Sequence, residues 1–335
     1  MASVNAKIKK ADYNAIQSDI SNVLGTGAGQ YGYGQPVLSS QVTESDVVTV
    51  NEYSALRYDI INAYTHLNNG PPSNVDEQAL GKSIRYSATD EPIDYWQSVA
   101  TGIVTNARNL AVAGQRITVN HGTVTEDWPG PYGTNWSDAL YATVIVTWTS
   151  AENARHFFNA GGSIDITSSR AGGSSNNQNT SWTSLLSTAG TRRFGGNTPG
   201  TGVNPNDGSN YFRLSAARQN WSTVTASSPY ALNTWEIDAK TLDVPVVTDN
   251  SAGVSRRIEF YVKWIDDHVA LGGEPDQPAG RKVGAGTFGP DVVDGTMSLT
   301  VITTEPSGVL QPSPGAGNFE VESPSVSIGA ITPNP

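Results

Sequence analysis

The sequence predicts an α+β protein that is mainly β, with a helical N-terminal region followed by an antiparallel β-sandwich-like body. Apolar residues recur at three-and-four spacing in the first third of the chain, which is typical of amphipathic helices. After about residue 115 they recur at every second position, which is typical of strands with one buried face. The 34 Gly and 19 Pro supply many turns, which suits short strands.

Three amphipathic helices are predicted in the N-terminal region, residues 1–112. The first covers residues 7–24, the second follows a predicted N-cap at Asn51, and the third follows a predicted N-cap at Asp94. The helices form either an oligomerisation module or the core of an ordinary subdomain, and the sequence favours neither. The residues of their apolar faces that are candidates for a docking interface are Ile16, Ile20, Tyr53 and Tyr64.

A glycine-rich segment, GTGAGQYGYGQ at 25–35, follows the first helix. It contains fragments like those of phosphate-binding loops, but such loops follow a strand and open a helix. Here the run follows a helix and leads into QPVLSSQV, so we interpret it as a linker. Its Tyr31 and Tyr33 either anchor the chain in a groove of a partner or pin the loop to its own domain.

The β-rich body is predicted to occupy residues 113–304. Its clearest strand is LYATVIVTWTS, which places Ala142, Val144, Val146 and Trp148 on one face. Two inserted helices are predicted at 151–162, capped by Ser150, and at 179–190. This order favours a sandwich over a βαβ sheet. The alternating segments are 116–125, 140–150, 256–266 and 297–304.

The last predicted region, 305–335, is an extended C-terminal arm. It is rich in Pro, Gly and Ser and has few apolar residues, so it cannot build a core alone. In an assembly such an arm adds a strand to a neighbouring molecule. In an isolated chain the alternative is a loose end.

Charge and residue usage exclude several function classes. A net charge of −11 disfavours nucleic acids and anionic membranes as partners. The absence of Cys excludes disulfides and thiolate metal sites. No run of about 18 apolar residues predicts a membrane span, and the lysine-bearing N-terminus has no apolar core of signal-peptide length.

The sequence offers little catalytic chemistry. Its four His stand in separate segments without metal-ligand spacing, and no nucleophile-elbow or Walker motif occurs. Paired carboxylates of the kind used in glycoside cleavage lie in turn-like segments, where we interpret them as solvated. We therefore predict no enzyme, no cofactor and no metal. The acidic pairs are Asp266 with Asp267, Glu274 with Asp276, and Asp291 with Asp294.

The tryptophans suggest a second class of function. Aromatic side chains grouped in loops can form a platform for sugars, and the alternative interpretation is that they anchor loops to the sandwich. The candidates are Trp128, Trp136, Trp182, Trp221 and Trp235. A host-glycan-binding module is thus the alternative to a purely structural role, and a polysaccharide depolymerase ranks below both.

One long run carries a family likeness. The segment ARHFFNAGGSIDITSSRAGGSSNNQNTSWTSLLSTAGT, residues 154–191, resembles virion structural proteins of tailed phages, particularly phages of cyanobacteria and other marine bacteria. GTGAGQYGYGQPVLSSQV and INAYTHLNNG are similar to the same family. The resemblance covers scattered stretches of residues 20–190 and carries over no functional residue.

The resemblance implies a component of the phage tail, neck or fibre. Such proteins are assembled in the host cytoplasm as homo-oligomers, commonly trimers or hexamers. The expected partners are other copies of the chain and other tail, neck or baseplate proteins.

Overall fold

The structure, a computed structural model, describes residues 10–25, 36–43, 48–68, 71–73, 75, 93–107, 116–128, 136, 138–195, 211, 214–243, 250, 254–266, 293–306, 310–311, 319–320 and 322–333. Helices at the N-terminus precede two antiparallel sheets. The predicted α+β, mainly β, fold class is therefore confirmed.

The three N-terminal helices are α1 (Lys10–Leu24), α2 (Val50–Asn68) and α3 (Ile93–Asn106). Their buried side chains form a hydrophobic core separate from that of the β body. At its centre Tyr53 stacks on Trp96 with ring centroids 4.3 Å apart. The segment 36–43 is held on this core by the fully buried Asp59, whose carboxylate accepts the Ser39 N–H at 2.7 Å.

The predicted cap of the second helix is wrong. Helix α2 begins at Val50, one residue before Asn51. Thr49 N–H donates to Glu52 Oε2 at 2.6 Å, and Glu52 N–H donates to Thr49 Oγ1 at 3.4 Å. This reciprocal pair is a capping box, which satisfies two amides that the helix cannot. Asp94 likewise lies inside the first turn of α3 and not before it.

The β body follows the predicted change of period. Its elements are β1 (Arg116–Trp128), β2 (Asp138–Thr147), α4 (Ala151–Asn159), β3 (Ser163–Ala171), α5 (Asn177–Ala189), β4 (Thr191–Gly195), β5 (Gln219–Thr225), β6 (Thr234–Thr241), β7 (Arg257–Asp266), β8 (Gly295–Pro306), β9 (Leu310–Gln311), β10 (Phe319–Glu320), β11 (Ser325–Ile328) and β12 (Thr332–Pro333). One sheet has the order β1-β8-β3-β4 and the other the order β11-β2-β7-β6-β5, with β12 also on β2.

The two sheets enclose one core. Strand β7 alternates strictly, and its Phe260 and Trp264 are fully buried. Phe260 contacts Phe194, which belongs to the other sheet, in an edge-to-face arrangement with ring centroids 5.0 Å apart. Trp264 Nε1–H donates across the sandwich to Ser168 Oγ at 2.8 Å. The inward face predicted for 140–150 is confirmed, since its four residues are buried, and β7 shows the alternation predicted for 256–266.

A buried ionic cluster ties the start of α5 to the start of β8. The Asp294 carboxylate accepts the Ser174 N–H and hydroxyl, each at 3.0 Å, and the amide of Asn179. Arg170 Nη2 lies 3.5 Å from Asp294 Oδ1, with both side chains almost fully buried. Burial raises the pKa of Asp294, but the bonds from Asn179 and Ser174 and the Arg170 charge outweigh it and hold the pKa below its usual value.

This cluster overturns one sequence interpretation. Asp266 and Asp294 are each only 3% exposed, so they are not solvated turn residues. Asp266 accepts bonds from the side chains of Gln178 and Trp182 on α5. Both carboxylates fasten α5 to the body, because a buried carboxylate must be hydrogen-bonded to be tolerated.

Candidate assembly interface

Strand β2 presents the most regular outer edge of the sandwich body. The other outer strands are β1, β4 and β5. The pairing of β1 with β8 shifts register between Asn120 and Thr123, and that of β5 with β6 shifts between Asn220 and Ser222. Strand β4 has only five residues. Because bulges and short strands hinder strand addition, β2 is the edge best suited to receive another strand, and it pairs with β7 over ten residues without a shift.

The edge of β2 is filled by the end of the same chain. Strand β11 pairs antiparallel with β2 from Ser325 opposite Thr147 to Ile328 opposite Val144. Gly329 N–H continues the ladder to Thr143 O at 2.8 Å. A Cβ on Gly329 would lie 3.2 Å from that oxygen, so the close approach favours glycine.

After β11 the arm places one side chain in the core of the sandwich. Ile331 is 2% exposed and belongs to the core of the sandwich. Strand β12 then pairs with β2 again, with Thr332 opposite Tyr141. Residues 322–333 of the predicted arm therefore dock on the body of their own chain through β11 and β12 and are not a loose end.

Glu322 fixes the point where the arm begins. Its Oε1 accepts the Thr149 N–H at 2.8 Å, and its Oε2 accepts the Thr149 hydroxyl at 2.6 Å and the Asn153 side-chain amide. Asn153 N–H bonds in turn to Oγ of Ser150, the N-cap of α4, as predicted. The carboxylate thus lies beside the N-terminus of α4, where the helix dipole favours a negative charge.

A second anchor joins the arm to the end of β8. Ser323 Oγ donates to Glu305 Oε2, and Thr303 Oγ1 donates to Glu305 Oε1 at 2.7 Å. His121 Nε2 lies 2.7 Å from Thr303 Oγ1 and 3.9 Å from Glu305 Oε1. Burial lowers the pKa of His121, and the Glu305 charge offsets this only in part. The arm, β1 and β8 therefore meet at one polar group.

We expect His121 to make the protein less stable as the pH falls below about 6.5, its usual pKa. Its pKa is lowered in the folded protein, so the unfolded chain takes up a proton at a pH where the folded chain does not. Protonation then favours the unfolded state. Denaturant unfolding of the wild type and of His121→Asn, measured from neutral pH down to about pH 5, should show a steeper loss of stability in the wild type. Parallel curves would contradict this role of His121.

The candidate docking residues of the helical region lie within their own chain. Ile16 and Ile20 are fully buried and Tyr53 is 2% exposed, while Tyr64 is half-buried against the same core. In this structure they build the core of a subdomain, which was one of the two alternatives for the helices. The other two candidates, Tyr31 and Tyr33, lie outside the described residues, so their role stays a prediction.

The residues considered for chemistry do not converge. Within the described ranges, no three His, Asp or Glu side chains come together as a metal site. Asp266 and Asp294 bind different residues of α5 and do not face each other as a pair. The other members of the acidic pairs lie outside the described residues; they are Asp267, Glu274, Asp276 and Asp291. His156 is fully buried in α4.

The tryptophans anchor the sandwich and do not form a sugar platform. Trp128 is half-buried and packs against the core of the body. The other four candidates are buried in that core; they are Trp136, Trp182, Trp221 and Trp235. The aromatic motivation for glycan binding is thereby removed.

Comparison with known proteins finds no similar protein. The chain matches no family model, no curated protein and no solved structure. Across the described helices, none is long and apolar enough to cross a bilayer.

Proposed function

We propose that the protein is a non-enzymatic structural component of a tailed-phage virion, in the tail, neck or fibre, and that it assembles as a homo-oligomer. Trimers or hexamers assembled in the host cytoplasm are the expected form, with other tail, neck or baseplate proteins as neighbours. The observation that carries the proposal is the C-terminal arm, which docks as a separate strand on the one long regular edge of the body. Strand addition at a sheet edge is a common way to join protein chains.

The resemblance supports the same proposal from another side. Residues 154–191 include most of α4, all of β3 and all of α5. Glu322 of the arm is bound by Thr149 and Asn153, just before the segment begins, and β3 and α5 carry the buried cluster around Asp294. The segment that is similar to virion proteins thus forms part of the sandwich body that carries the arm.

The outer sheet faces support a passive scaffold. Polar side chains on these faces pair with each other across strands. Lys263 binds Glu236 at 2.6 Å and Asp238 at 3.0 Å. On the other sheet Thr123 and Thr300 share a hydrogen bond of 2.7 Å. Such cross-strand pairs stiffen a sheet.

We expect the purified full-length protein to form a discrete oligomer. Size-exclusion chromatography with light scattering over a dilution series measures its mass, and cryo-EM of the phage particle then places the sandwich body in symmetric copies. A compact monomer at every concentration, together with a particle that lacks the body, would rule the proposal out.

A further inference from the structure

We infer that the C-terminal arm, residues 322–333, is exchanged between copies of the chain in the oligomer, so that each arm fills the β2 edge of a neighbour. This inference rests on the proposed function and deepens it, because it names the surface and the partner through which the copies join. The partner is a second copy of the same chain.

The connection between the body and the arm is longer than the distance between its ends requires. Strand β8 ends at Pro306, and Ser323 of the arm bonds to Glu305, so the two ends of the connection lie side by side. Ends this close need only a few residues, with a median of about 4–6 in compact domains. The chain provides residues 307–321, SGVLQPSPGAGNFEV. Fully extended, such a segment spans roughly 50 Å, enough to reach across to a neighbour.

Within the connection, residues 307–321, one short strand pair is described. The pairing of β9 with β10, with Phe319 opposite Gln311 and Glu320 opposite Leu310, is the only regular pairing described within it. A two-residue ladder is marginal by itself. Opening this ladder, together with the contact of β9 with helix α2, releases the full reach of the segment.

The groups that bind the arm all belong to the sandwich body. Glu322 is received by Thr149 and Asn153, and Ser323 by Glu305. The backbone ladder is received by β2. An arm from a second copy makes the same contacts, so the contact energy is equal in the closed and exchanged forms. Local concentration and the tether then decide between them.

The other outer strands of the body differ from β2 in their regularity. Strands β1 and β5 carry register shifts, which oppose pairing with another chain. Strand β2 has no such device along its described length and is protected only by the arm. A strand-based contact between copies is therefore directed to β2.

A disulfide between arm and body tests the exchange. The double variant Ile145→Cys/Ser327→Cys places its two cysteines on opposite residues of β2 and β11, and the natural chain has no Cys to interfere. Gly329 and Thr143 form a hydrogen-bonded pair, so by alternation Ser327 and Ile145 do too. Their Cα atoms are then about 5.5 Å apart, within the range of a disulfide. After oxidation of the oligomer fraction, we expect most chains to be covalently linked to another chain on a non-reducing gel.

The matched control is Ile145→Cys/Glu259→Cys. Glu259 lies opposite Ile145 on β7 of the same body, so this disulfide stays within one chain in every state. An oligomer in which the arm variant also forms only intrachain disulfides would overturn the exchange and leave the proposed function standing. A protein that is only monomeric would overturn the exchange, and a phage particle that also lacks the body would overturn the proposed function as well.

A mixing experiment guards against a double variant that folds poorly. Single variants Ile145→Cys and Ser327→Cys are unfolded, mixed, refolded together and oxidised. With exchange, the arm of one variant reaches the edge of the other, and we expect a covalent heterodimer whose 145–327 linkage is identified by mass spectrometry. Absence of that linkage in refolded oligomers would contradict the inference.

Discussion

Asp294→Ala is expected to lower the free energy of unfolding by about 3–5 kcal/mol, the usual cost of breaking a buried ion pair. The substitution leaves the Arg170 guanidinium, whose side chain is 4% exposed, without its carboxylate. It also removes the acceptor for the Ser174 N–H and the Asn179 amide, which position the start of α5. Urea unfolding followed by circular dichroism measures the change.

The matched control for this experiment is an exposed ion pair. Arg218 is 41% exposed in its pair with Glu259, so Arg218→Met should cost at most about 1 kcal/mol. The double variant Arg170→Met/Asp294→Ala should cost less than the sum of its single variants, because it leaves no buried charge alone. Additive costs would show that the two side chains do not act as a pair.

Trp264→Ala is expected to destabilise the sandwich by about 3–5 kcal/mol. The indole is fully buried, lies opposite Trp235 on the neighbouring strand β6, and bonds across the core to Ser168. Its removal leaves a cavity that the two sheets cannot close without moving. Denaturant unfolding monitored by circular dichroism measures the loss.

Two milder variants separate volume from hydrogen bonding. Trp264→Phe keeps most of the ring in the core, so its cost should be clearly smaller than that of Trp264→Ala. Ser168→Ala leaves the indole N–H without its acceptor and should cost about 1–3 kcal/mol. Equal losses for Trp264→Phe and Trp264→Ala would mean that packing across the core is not what the indole provides.

Features that depend on near neighbours in sequence could be predicted. The alternation along β2 and β7 identifies their inward faces because side chains of a strand point to opposite faces in turn. Ser150 was predicted as the cap of α4, and its acceptor role involves Asn153, three residues away. Asn51 was predicted as a cap because its type is suitable, but Thr49 and Glu52 satisfy two amides together.

Features that depend on distant partners could not be predicted. Asp294 looked like a turn residue because its ligands lie between residues 170 and 179 and meet it only in the folded sandwich. The role of Glu322 depends on α4, more than 160 residues earlier. One signal in the arm was present: SVSI alternates in the manner of a strand, within a segment whose overall composition argues for an extended chain.

The edge of β2 has a consequence for the newly made chain. Without the arm, β2 presents the backbone groups of a long regular strand along this edge. Such an edge is a template for amyloid-like aggregation. We expect the arm to protect this edge within a single chain, where the hydrogen bonds of Glu322 and the burial of Ile331 hold it in place.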